Sequence, residues 1–199
     1  MAAGRPREFD RTTALEAAMA LFWRKGYSGT SLSELCEVMG IRSPSLYGAF
    51  RSKDALYQEA LGHYVASIAS RIWEALEGAP TARDGVRNML LLAAESLPAS
   101  RVTPGGCMVM LGAVSDEWPA TVAADVRKLR IESLRKLRTR LKAAVSSGEL
   151  SPATEIDSLA RFCLAAFQGM AVQARDGATR AELKGVVEFV MSAWPRGGS

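Results

Sequence analysis

Residues 31–54 read SLSELCEVMGIRSPSLYGAFRSKD, and this stretch decides the fold. Ser31 followed three positions later by Glu34 has the form of a capping box: the serine hydroxyl accepts from the amide of Glu34 while the carboxylate reaches back to the amide of Ser31. The spacing predicts a short helix running to about Met39. Gly40 then supplies the permissive backbone of a tight turn. Ser43-Pro44 offers an N-cap with proline in the first helical position, where its missing N–H is no loss. The helix that follows ends near Phe50. Two short helices joined at Gly40-Ile41 match a helix-turn-helix, whose first helix braces the second as it enters the major groove of DNA.

Outward from this core, Leu15, Ala18, Leu21 and Phe22 recur at helical spacing between a candidate cap at Asp10 and a cationic end at Lys25-Gly26. Downstream, Ser52-Lys53-Asp54 opens a long helix with the apolar stripe Tyr57, Leu61, Tyr64, Val65, Ile68, Ile72 and Leu76, stopped by Gly78-Ala79-Pro80. Further helical periodicity covers residues 81–97, 107–115, 120–147, 154–175 and 179–193, and no strand alternation is found. The expected fold is all-α with about nine helices: a three-helix helix-turn-helix module in residues 1–52 and a larger helical region in residues 53–199.

The composition fits a folded chain with a sizeable core: 199 residues, 48% hydrophobic and 23% charged. No run of about eighteen apolar residues appears, and the N-terminus MAAGRPREFDR lacks an apolar signal region, so a cytoplasmic protein without a membrane partner is expected. Cys36, Cys107 and Cys163 lie far apart and His63 is the single histidine, so reduced thiols are expected, with no metal and no cofactor. The net charge of +4 permits a nucleic-acid partner, and residues 1–53 concentrate it, with eight basic residues against five acidic ones. There is no GxSxG, no phosphate-cradling glycine loop and no HExxH, while Asp116-Glu117 are adjacent and diverge. The chain is therefore read as a non-enzyme without catalytic residues. A helical enzyme or small-molecule carrier is the competing class.

The string Leu21-Phe22, Gly26-Tyr27, Thr30-Ser31, Leu35-Cys36, Gly40-Ile41, Ser45-Leu46-Tyr47, Phe50 and Ser52-Lys53-Asp54-Ala55-Leu56 resembles the TetR family of bacterial repressors, densely over residues 9–57. Gly106-Cys107 through Val114, Gly148-Glu149-Leu150 and residues 168–178 resemble the ligand-binding part of one subgroup. The resemblance implies a homodimeric, sequence-specific regulator of transcription: a repressor released from a palindromic double-stranded operator by a small, largely apolar ligand. A regulator or activator that needs no ligand is the alternative.

Within that reading, Tyr47 sits mid-helix with a phenol that reaches a phosphate, as the family uses it, or else packs on the first helix. Lys53 begins the connecting helix, where its ammonium and the helix dipole act together on a phosphate. Thr30 and Ser31 either donate similarly or only cap. Bases fall to Arg42, Ser43, Pro44 and Ser45, with Arg42 fitted to guanine or to phosphate. Gly48 and Ala49 allow close backbone approach. Arg5 and Arg7 in Gly4-Arg5-Pro6-Arg7 resemble a minor-groove arm, or a plain tail. Cys36 lies where the two helices pack closest and is read as structural.

In the larger region, Trp73, Met89, Met108, Met110, Trp118, Phe167 and Gln168 are the candidate ligand contacts, although periodicity does not separate pocket from core. The resemblance implies that a ligand there moves the connecting helix. Phe162, Ala166, Gly169, Met170, Val187 and Val190, on the last two helices, are the candidate dimer interface. The stretch 127–142 carries eight basic residues and one acid, Glu132, and reads as a solvated face or a second nucleic-acid patch.

Overall fold

The computed structural model describes residues 9–101, 103–112 and 118–195. Helix α1 (Arg11–Lys25) starts at Asp10, whose carboxylate accepts from the amides of Thr12 and Thr13 at 2.8 and 3.1 Å, and ends at Gly26 with φ 74°. Helix α2 (Leu32–Met39) carries both halves of the Ser31/Glu34 capping box and stops at Gly40, which adopts the left-handed conformation. Helix α3 (Ser43–Phe50) differs by one residue from expectation: Arg42, not Ser43, holds the cap position, and no side chain caps it. Pro44 still falls in the first turn, where the orphan amides tolerate it.

Helix α4 (Lys53–Tyr64) runs through a π turn (Val65–Ala69) into α5 (Ser70–Glu77) as one continuous rod. The π turn inserts a residue into the apolar stripe, so the buried series passes from Leu61 and Tyr64 to Ala69, Ile72 and Leu76. Ile68, expected on the stripe, is consequently only half-buried, and so is Val65. Beyond it lie α6 (Ala82–Ser96), α7 (Met108–Leu111), α8 (Ala120–Ser146), α9 (Ile156–Arg175) and α10 (Arg180–Ser192). Counting the π-interrupted rod once gives nine helices among the described residues, which contain no strand. Helix α7 has four residues rather than the nine expected for 107–115, part of which lies outside the described residues.

Helices α1, α2 and α3 close around Ala18, Phe22, Leu35, Leu46 and Phe50, all essentially buried. Helix α1 also packs on α4, so the rod belongs to both halves, and the expected boundary at 52/53 falls at its first turn. Two polar ties fix the small module to the rest, and a third fixes the rod to α8. Arg175 of α9 donates to the carbonyls of Trp23 at 2.7 Å and Arg24 at 3.3 Å, satisfying orphan acceptors at the end of α1. Arg11 pairs with Glu59 at 2.6 Å while its guanidinium lies over the Phe50 ring at 4.4 Å. Gln58 donates to Asp125 of α8 at 2.6 Å. Further along, Glu149 accepts from the amides of Ala82 and Arg83, so the loop after α8 caps α6.

Candidate nucleic-acid interface and ligand cavities

The outer face of α3 is built by default from what its inner face must bury. Leu46 and Phe50 are 0% and 1% exposed, which turns Arg42, Ser43, Pro44, Ser45, Tyr47 and Gly48 outward. Tyr47 is 48% exposed, which rules out packing against α1. Among the described residues no hydrogen bond or ion pair engages the Tyr47 phenol or the Arg42 guanidinium, so both are free to meet a ligand. A Cβ added at Gly48 would meet nothing within 4 Å, in keeping with room for close approach. Cys36 lies 3.6 Å from the Ser43 hydroxyl and bridges the turn between α2 and α3.

Lys53 occupies the first turn of α4, where Ser52 caps by accepting from Ala55 at 3.1 Å. Its ammonium lies 4.1 Å over the Tyr27 ring, and the Tyr27 hydroxyl donates to the neighbouring Asp54. Partial burial lowers the pKa of Lys53, and the Asp54 charge opposes that shift. Burial, with Asp54 as the hydrogen-bond partner, raises Tyr27 to about 12.

Thr30 is corrected. It is 1% exposed and its hydroxyl donates to the Gly26 carbonyl at 2.7 Å, so it closes the α1–α2 turn instead of facing a phosphate. Ser31 is exposed, with its hydroxyl engaged by Glu34. Arg5 and Arg7 lie outside the described residues.

Sequence reasoning missed Arg51. It is the one non-glycine among the described residues with a positive φ, 67°, and it stands exposed one turn beyond Tyr47. No described partner engages its guanidinium. A charged residue at a backbone position that favours glycine is the signal, and only coordinates reveal it.

Half of the eight basic residues on this stretch of α8 have partners at the surface of the chain itself. Lys136 pairs with Glu77, Arg138 with Asp157, Arg135 with Glu132, and Arg140 donates to the Ala79 carbonyl. A second nucleic-acid patch would have to compete with those partners for four of its cations.

Five of the seven candidate ligand residues fall into two cavities. One, of about 320 Å³, lies where the end of α1 meets α4, α7, the segment before α8 and the end of α9, and Met108 and Trp118 line it with Trp23, Tyr57 and Arg175. The other, of about 80 Å³, lies inside the larger region and brings together Trp73, Met110 and Phe167 with Cys107, Val65 and Ala69. Trp73 and Phe167 meet edge to face at 5.8 Å. Met89 and Gln168 line neither cavity: Met89 is packed at 0% exposure in the core, and Gln168 stands half-buried on α9 outside both linings. Cys107 is fully buried, which raises its thiol, and it is hydrogen-bonded to Tyr64.

The interface candidates separate by face. Met170, Val187 and Val190 are corrected, being 0%, 0% and 6% exposed and directed into their own core. The unpartnered face instead carries Phe162 (44% exposed), Val172 (49%) and Phe189 (81%), with Ala166 and Gly169 half-exposed on the same side of α9. Gly169 and Gly185 have open space where a Cβ would stand, so nothing within the protomer demands glycine at either position. Exposure was the missing signal, since periodicity alone marks both faces of an apolar helix.

Comparison with known proteins agrees with this architecture. Residues 14–60 match the family described as bacterial regulatory proteins, tetR family, and residues 85–189 match the tetracyclin repressor-like C-terminal domain. The transcriptional repressor ComR of Escherichia coli K12 is 30% identical over 96% of this chain and 92% of its own. The repressor BdcR of the same strain is 30% identical over 85% and 92%. Among solved structures, a cysteine mutant of the TetR family regulator CifR, complexed with a 26-base-pair operator duplex, is 40% identical with a TM-score of 0.89, covering 96% of this chain and all of that one. The chain belongs to the TetR family of bacterial regulatory proteins and is a DNA-binding regulator of transcription.

Proposed function

We propose that the protein is a homodimeric repressor that holds a palindromic operator and releases it when a small, largely apolar ligand binds. The observation that carries this is the outer face of α3, where Arg42, Ser43, Pro44, Ser45 and Tyr47 stand exposed on a helix braced by α2 and α4. Arg42, Ser43, Pro44 and Ser45 face the base edges, while Tyr47, Ser31, Lys53 and the strained Arg51 hold phosphates. Arg5 and Arg7 add minor-groove contacts ahead of α1. Two copies joined through Phe162, Gly169, Val172 and Phe189 present two such helices to successive major-groove faces, about 34–36 Å apart or a multiple of that. The names of the Escherichia coli relatives support repression over activation.

Ligand control is supported by the smaller cavity, which at about 80 Å³ is below the roughly 300 Å³ of a small-molecule site and must widen to hold a ligand. Its walls are Trp73, Met110 and Phe167, and Val65 and Ala69 of the π turn form part of them. A ligand there bears on the one irregular turn of the rod that begins at Lys53, and π turns are a recurrent place for functional adjustment. Fluorescence anisotropy of a labelled operator tests both parts: a tight complex is expected, with loss of affinity on adding an apolar ligand and no such loss in Trp73→Ala. An operator complex that no ligand weakens would leave a ligand-independent regulator.

A further inference from the structure

Helix α3 is lightly held for an element that must meet bases at one angle. It has eight residues, no side chain caps its first turn, and it ends at Arg51 with a φ of 67°. It packs on α2 and α4, with Leu46 and Phe50 as its buried anchors. Its last turn is gripped from the far end of the module. The guanidinium of Arg11, in the first turn of α1, lies 4.4 Å over the Phe50 ring. Its Nη2 donates to the Ala49 carbonyl at 3.4 Å and pairs with Glu59, in the second turn of α4, at 2.6 Å. One side chain thus joins α1, the end of α3 and the rod.

Each of these contacts meets a need of that end of α3. The last four carbonyls of a helix have no partner within it, Ala49 among them, and a cation at a helix C-terminus is favourable. A planar guanidinium stacks on a ring while donating in its own plane, which an ammonium does not. Glu59 offsets the charge of Arg11 and commits this arginine to the protein, whereas no described partner engages Arg51 in the same groove of about 460 Å³. The Arg11 and Glu59 side chains are 50% and 38% exposed, and an ion pair so exposed adds little to overall stability.

We propose that Arg11 and Glu59 are positioning residues for sequence reading: their pair clamps the last turn of α3 to the rod and so sets the angle at which residues 42–45 meet the bases. This rests on the base-reading role proposed above for those residues. Without the clamp, α3 tilts about its buried anchors and must be ordered on specific binding, whereas phosphate-held, non-specific binding needs no base register.

The probe is the duplex that wild type enriches from a random pool, with a scrambled duplex of equal length as the non-specific control, both followed by fluorescence anisotropy. The double variant Arg11→Gln/Glu59→Gln deletes the pair and keeps the net charge. It should bind the enriched duplex about five- to tenfold more weakly and the scrambled one as wild type does, with an unchanged salt slope. Glu59→Gln alone should weaken the enriched duplex about threefold, although removal of a negative charge by itself favours DNA. Circular dichroism melts should stay within about 4 °C of wild type. In the free protein, hydrogen exchange at the amides of residues 47–51 should quicken severalfold in the double variant, with those of residues 18–25 unchanged. Should the double variant fail to fold, Arg11→Lys keeps the charge, loses the planar fork, and should show about a threefold loss on the enriched duplex alone.

Wild-type affinity of the double variant for the enriched duplex, or an equal loss on both duplexes, would overturn the clamp. A salt slope lowered by about 0.9 per subunit in the double variant would make Arg11 a phosphate contact and overturn it too. Should wild type enrich no duplex, the base-reading role falls, and the exchange measurement alone decides the clamp: unchanged protection of residues 47–51 overturns it.

Discussion

The Lys53 ammonium rests 4.1 Å from the centre of the Tyr27 ring, and the hydroxyl of that tyrosine is held by Asp54, the residue after Lys53. The cation that begins the connecting rod is thus seated on the last residues of the α1 turn. A cation over an aromatic face is favourable by about 0.5–2 kcal/mol, enough to position it and little enough to be exchanged for a phosphate. Lys53→Ala should weaken binding to all DNA sequences alike and reduce the slope of log K against log salt by about 0.9 per subunit. Tyr47→Phe should also weaken binding evenly but leave the slope near the wild-type value, since a neutral phenol displaces no counterion. Anisotropy titrations at several salt concentrations check both.

Arg51 gives a prediction with opposite signs. Arg51→Gly removes a side chain from a φ of 67°, and should raise stability by about 0.5–1 kcal/mol, the relief of strain exceeding the added freedom of the unfolded chain. The same change should weaken DNA binding and lower the salt slope. Denaturant melts and anisotropy on one sample read the two effects, and a variant that binds as tightly as wild type would make Arg51 irrelevant to the interface.

The Tyr27 phenol, raised to about 12, gives a pH dependence. Its folded-state value lies above the unfolded one near 10, so the stability it contributes is complete below about pH 10 and is lost as pH rises through about 12. Tyr27→Phe should flatten that part of the stability curve, and a wild-type-minus-variant absorbance titration should show the Tyr27 phenolate only near pH 12.

For assembly, Gly169→Trp and Phe189→Asp should each yield folded monomers in sedimentation, because both positions are open within the protomer. Val187→Asp should instead destabilise the protomer itself by several kcal/mol, as burial of an unpaired charge at 0% exposure requires, roughly 3 kcal/mol or more. A dimer that survives Phe189→Asp would place the interface elsewhere.

The thiols separate by burial. Cys36 is half-buried, Cys107 and Cys163 are buried, and burial pushes Cys163 up to about 12. A thiol reagent at pH 8 should therefore modify Cys36 first and reach the other two only on unfolding.

Local chemistry made much of this fold readable from sequence. The Asp10 cap, the Ser31/Glu34 box and Gly40 are self-contained devices whose partners lie within four residues, and each stands where its residues require. The π turn has no such signature; it emerges from how Tyr64 and Ala69 must both reach the core, and it displaced Ile68 from the expected stripe. The outward face of α3 was legible because Leu46 and Phe50 identify the inward one. Thr30 was misplaced since a threonine before a capping box looks the same whether its hydroxyl faces a phosphate or the Gly26 carbonyl. On α9 and α10, apolar residues occupy both faces, and only solvent exposure distinguishes Phe189 from Val187.

Residues 42–45 of a dimer should read a two-fold symmetric sequence. Selection of bound duplexes from a random pool tests it most directly, run in parallel with wild type, Arg42→Ala and Ser45→Ala. Wild type should enrich a palindrome of two half-sites, and each variant should lose preference at one symmetric pair of positions, by roughly 1–3 kcal/mol per lost base contact. Enrichment of no palindrome, or of one identical palindrome with all three proteins, would contradict it.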